Sequence, residues 1–116
     1  MRVLWLVPLG IAAFGADLSG KWQVHRSAAG RESTQECTLA QKGGELSGSC
    51  KGDRGTVEVK GKVEGSNATW TYTAESEGGT VTVVYKGTVE SEKKISGTVT
   101  AVEFSVEGEF TATLLN

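Results

Sequence analysis

The chain is poor in the residues that punctuate and catalyse. Its 116 residues include one proline, one histidine and two cysteines. Pro8 falls in the N-terminal apolar run, so no Pro-rich linker divides the remainder. No stretch repeats apolar residues at helical spacing, which excludes a helical bundle. A lone histidine, with no Cys-x-x-Cys, excludes the common zinc and dithiol spacings, and there is no phosphate loop. Charge of either sign is not in excess: 12 basic and 14 acidic residues leave a net −2. No basic patch of the kind nucleic acid requires is present, so a nucleic-acid partner is not expected.

What is present is Val, Thr and Gly, arranged as many short alternating runs separated by glycine turns. The N-terminal stretch is different. Arg2 precedes an apolar run from Val3 to Phe14 that is too short to span a bilayer comfortably, with small Ala13 and Gly15 behind it. Residues 1–16 therefore read as a secretory signal peptide, and 17–116 as a single domain. The expected location is secreted or periplasmic, with no membrane association after cleavage. No cysteine closely follows the apolar run, which argues against a lipid anchor.

Asn67–Ala74 anchors the reading of the domain. Ala68, Trp70, Tyr72 and Ala74 point one way and Thr69, Thr71 and Thr73 the other, the period of a strand with one buried face. A first strand runs over Leu18–Val24, with Gly20, Trp22 and Val24 on one face, followed by a polar loop from Ser27 to Glu32. The Gly43-Gly44 pair turns a hairpin between Gln35–Lys42 and Glu45–Cys50, because both central residues need positive φ. That register sets Cys37 opposite Cys50 in a non-hydrogen-bonded pair with Cα atoms roughly 4.5 Å apart. A Cys37–Cys50 disulfide follows.

After a loop at Lys51–Gly55, a strand with Val57, Val59, Gly61 and Val63 inward turns at Gly65-Ser66 and sets Gly61 against Trp70. A turn at Gly78-Gly79 is expected to set Tyr72 against Tyr85, Ala74 against Val83 and Trp70 against Gly87. Beyond a turn near Ser91-Glu92, Val89 faces Ile95 and Gly87 faces Gly97. These pairings place Gly61, Trp70, Gly87 and Gly97 in one transverse row. The last strand brings Gly108, Phe110, Ala112 and Leu114 inward. The fold class is all-β: eight antiparallel strands closing up-and-down into a barrel, which removes the edges. A two-sheet sandwich is the alternative.

Leu18-Ser-Gly-Lys-Trp22 resembles the Gly-x-Trp opening strand of the calycins, the superfamily of lipocalins, fatty-acid-binding proteins and avidins. Leu46-Ser-Gly-Ser49 is similar to the second-hairpin pattern of avidins, and Ala68-Thr-Trp-Thr-Tyr72 to their central aromatic strand. The resemblance implies a ligand-binding barrel. It departs from the avidins at Val24, where they carry asparagine, at Cys50, where they carry tyrosine, and in Phe110–Leu114, which lacks their aspartate and tryptophan. Biotin is therefore not the expected ligand. A Leu-Ser-Gly-x-Trp start with one disulfide is also similar to secreted lipocalin-like inhibitors of bacterial metalloproteases.

Catalytic candidates are few. His25 falls on the outer face of the first strand, Asp17 near the start of the domain and Asp53 in a loop. The glutamates fall on outward positions or turns, which disfavours a buried acid–base pair. No catalytic residue, metal site or cofactor is expected, and an enzyme is not. The binding candidates are the inward aromatics: Trp70, Tyr72, Tyr85 and Trp22, with Phe110 beside them. An eight-stranded barrel is either filled by its side chains or holds one small ligand. The expected function is binding of a small apolar or amphipathic molecule inside. The alternative is a protein partner, such as a protease, engaged by one barrel end through Asp17, Ser27–Glu32 or Lys51–Gly55. Asn67-Ala-Thr69 also matches a glycosylation sequon.

Overall fold

The computed structural model describes residues 17–52, 55–76 and 79–115; the proposed signal peptide lies outside the described residues. Eight strands follow in order: β1 (Gly20–Ala28), β2 (Arg31–Lys42), β3 (Glu45–Gly52), β4 (Gly55–Glu64), β5 (Asn67–Ser76), β6 (Gly79–Ser91), β7 (Lys94–Ala101) and β8 (Val106–Leu115). Each is antiparallel to its neighbours in sequence, and β1 pairs with β8, so the sheet closes into an up-and-down barrel. The sandwich alternative is excluded by that closure. A single 3₁₀ turn, Val102–Phe104, connects β7 to β8.

Alternation decides which side chains fill the barrel. The buried set includes Trp22, Val24, Cys37, Leu39, Leu46, Cys50, Val59, Ala68, Trp70, Tyr72, Tyr85, Ile95, Val99, Phe110 and Ala112, while the intervening Thr, Lys and Glu residues line the outside. The β2–β3 hairpin has the expected register. Cys37 faces Cys50 and the two are joined by a disulfide with Cα atoms 3.9 Å apart. Gly61 faces Trp70, Val89 faces Ile95 and Gly87 faces Gly97, also as expected.

Three expectations are corrected. The polar loop at 27–32 shrinks to Ala29-Gly30, because β1 continues to Ala28 and β2 begins at Arg31. Both turn residues have positive φ, 53° and 76°, as a tight hairpin of matching twist requires. The β5–β6 register is displaced by two residues: Trp70 faces Tyr85, Tyr72 faces Val83 and Ala74 faces Val81. A two-residue shift keeps every side chain on its own face, so alternation alone does not choose between the registers. The observed one stacks the Trp70 and Tyr85 rings, with centroids 5.3 Å apart and planes 14° apart. The glycine row changes accordingly. Gly87 and Gly97 share a row with Ala68 and Phe110, and Gly61 shares the Trp70–Tyr85 row. At Gly97 a Cβ would fall 2.0 Å from the Lys86 carbonyl oxygen, so the strands approach there more closely than any side chain permits. The β6–β7 turn, expected near Ser91-Glu92, falls at Glu92-Lys93, with a register irregularity between Val89 and Ser91.

Candidate functional site

The inward face of β1 joins two environments. Near the start of the strand, Trp22 is 1 % exposed and its indole Nε1–H donates to the Leu18 carbonyl at 2.9 Å. Leu18 itself is fully buried, and its N–H donates to Gln41 Oε1 at 2.8 Å. The segment before β1 thus folds over this end of the barrel and seals it, with its buried donors engaged.

Four residues on, the same alternation turns Arg26 inward. Its cross-strand neighbours are Ser33 on β2 and Phe110 on β8. Arg26 Nε donates to Ser33 Oγ at 2.7 Å, and Nη1 donates to the hydroxyls of Tyr72 and Tyr85 at 2.6 and 2.8 Å. Gln35 completes the group: its Nε2 donates to the Tyr72 hydroxyl at 3.4 Å, and its Oε1 accepts from the Tyr85 hydroxyl at 3.1 Å. Five residues from four strands therefore meet at one end of the interior. The aromatic wall behind them is continuous. Tyr85 stacks on Trp70, Phe110 meets both edge-on with centroids 5.0 and 5.4 Å away, and Tyr72 tilts against Tyr85 at 6.1 Å.

The electrostatics of this group are one-sided. Burial disfavours the Arg26 charge, but the phenols of Tyr85 and Tyr72 favour it more, and its pKa is held above the ordinary value. Burial pushes the Tyr85 phenol well up, with Tyr72 adding to the shift and Arg26 opposing it. The cluster is thus a guanidinium held by neutral hydroxyls. Among the described residues no carboxylate lies within ion-pair distance of Arg26, and its Nη2 makes no hydrogen bond. A second spare donor is on Trp70, the ring stacked on Tyr85. Among the described residues Trp70 Nε1 is the buried side-chain polar atom left without a partner.

Of the residues expected to line a site, the structure brings Trp70, Tyr72 and Tyr85 together and places Trp22 at the sealed end. Arg26 and Gln35 are the members that sequence reasoning misses. A first strand ending at Val24 stops short of Arg26, and a second strand beginning at Gln35 leaves that residue at its frayed edge. The signal is nonetheless there: alternation continued from Trp22 and Val24 points to Arg26, and back from Leu39 and Cys37 it points to Gln35. His25 is exposed, with its ring nitrogens 2.9 Å from Glu32 Oε1 and 3.2 Å from Thr34 Oγ1. Asn67 is exposed at the start of β5, on the rim of a shallow outer hollow shared with Thr69, Lys86, Gly87 and Thr88. Among the described residues no cluster of His, Cys, Asp and Glu could hold a metal ion.

No protein-family model and no curated protein matches the chain. Solved structures do. A redesigned β-barrel, b11L5F_LGL, is 18% identical with a TM-score of 0.71, over 85% of this chain and 92% of its own. A second redesigned β-barrel, mFAP1, determined bound to DFHBI, is 19% identical with a TM-score of 0.70, over 83% of this chain and 94% of its own. The likeness is one of fold: a single small antiparallel barrel.

Proposed function

We propose that the chain is a non-enzymatic, calycin-like binding protein, exported by its signal peptide, that holds a small amphipathic acid in the barrel. The acid group sits on Arg26 and the apolar body lies against Trp70, Tyr85 and Phe110. The observation that carries this reading is the unpaired guanidinium. Arg26 is partly buried, and a cation drawn even partly out of water is ordinarily matched by a carboxylate, because neutral partners compensate its lost hydration only in part. Here the protein supplies hydroxyls and leaves Nη2 free. A ligand anion would complete the set with charge-assisted hydrogen bonds. That a barrel of the same shape has been determined with a small molecule bound supports the size of ligand proposed.

The test compares 4-phenylbutanoate with its uncharged amide by titration calorimetry on the purified protein. The acid binds and the amide does not, and Arg26→Met weakens the acid by about 10- to 100-fold. Equal affinity for acid and amide, or unchanged affinity in Arg26→Met, removes the assignment. The competing reading, a protein partner at a barrel end, is favoured by Val102 and Phe104, which are about half exposed on the 3₁₀ turn. Glu103 pins that turn by accepting from the Thr82 N–H at 2.6 Å and its hydroxyl at 2.7 Å. Absence of acid binding would leave that end as the site to pursue.

A further inference from the structure

Two tryptophans fill the barrel, and they differ in one hydrogen bond. Each is 1 % exposed. Trp22 gives its indole proton to the Leu18 carbonyl, whereas Trp70 Nε1 has no acceptor. Phenylalanine would cover most of the same apolar area without stranding a donor, so packing alone is a poor reason for an indole here. Its surroundings add to the point. Trp70 stacks on Tyr85, whose hydroxyl accepts from Arg26, so one tyrosine spans from the unpaired cation to the unpaired indole. On the other flank the cross-strand partner of Trp70 is Gly61, which brings no side chain. Both spare groups are donors, and the neighbouring Gln35 and tyrosine oxygens are already engaged.

We infer that the ligand carries, beside its acid group, a second hydrogen-bond acceptor in its body, and that this acceptor takes the Trp70 indole proton. The ligand class is thereby narrowed from amphipathic acids in general to acids bearing a carbonyl, ether oxygen or ring nitrogen; a plain hydrocarbon acid leaves the indole unmatched. The inference rests on the interior-acid reading above.

The experiment uses two acids that differ by one carbonyl, 4-phenylbutanoate and 4-oxo-4-phenylbutanoate. The wild-type protein binds the keto acid about tenfold more tightly, the effect of one added hydrogen bond. Trp70→Phe abolishes that preference, so that the variant binds the two acids within about twofold of each other. An independent readout in the unmutated protein is the indole N–H resonance of Trp70, which moves downfield with the keto acid and not with 4-phenylbutanoate. Equal affinity of the wild type for the two acids, a preference that survives in Trp70→Phe, or an unmoved indole resonance overturns the inference while the Arg26 site stands. Failure of the wild type to bind either acid overturns both.

Discussion

Trp22 and Arg26 lie four residues apart on the same face of β1, roughly 13 Å along the strand, and they serve opposite ends of the interior. Around Trp22 the buried donors are spent: indole to Leu18, and Leu18 to Gln41. Around Arg26 and the stacked Trp70–Tyr85 pair donors are in surplus: one guanidinium nitrogen and one indole N–H have no protein acceptor, while the tyrosine and Gln35 oxygens are already engaged. The sealed end is what a sequence selected for folding produces, since satisfied polar groups rigidify a core. The other end departs from that rule, and such departures concentrate where a protein meets a ligand.

Three measurements test the contrast between the ends. The largest effect is expected at the sealed end. Trp22→Ala removes a fully packed ring and frees the Leu18 carbonyl, and urea denaturation should show about 3–5 kcal/mol lost. A loss no larger than that of Arg26→Met would mean that the two ends are not different in kind. Next comes the disulfide, whose Cys37 is the cross-strand neighbour of Trp22 and lies 13 residues from Cys50. Reduction should cost on the order of 3 kcal/mol in the chain-entropy model, read as a lower urea midpoint with reductant present. The smallest effect belongs to the polar end and to alkali. Tyr85 is held neutral by burial, so its phenol pKa is higher folded than unfolded. The stability this contributes is complete below the unfolded value of about 10 and declines as pH rises through it. Tyr85→Phe should flatten that decline while costing about 1–2 kcal/mol at neutral pH. An identical alkaline slope in wild type and variant would show that another group controls it.

Much of the barrel is legible in the sequence. Faces follow from alternation, and the β2–β3 and β4–β5 registers follow from turns at Gly43 and Gly65, whose positive φ leaves few alternatives. The β5–β6 register is not legible, because shifting by two residues conserves the faces, and ring stacking of Trp70 on Tyr85 settles it. The site is half legible. Trp70, Tyr72 and Tyr85 stand out as inward aromatics. Arg26 is hidden because charged residues in a strand read as solvent-facing, and strand ends are where alternation is the weakest guide.

A two-residue period and turn chemistry are local properties of the chain. They are enough to say which side chains point inward, that Cys37 meets Cys50, and that a glycine-turned meander of this length closes without edges. Local pattern does not say that Arg26 meets Tyr72 and Tyr85, which lie 46 and 59 residues away, or that one indole is matched and the other is not. Those outcomes depend on how far the strands are staggered around the closed barrel, and that stagger emerges only when all eight strands pack at once.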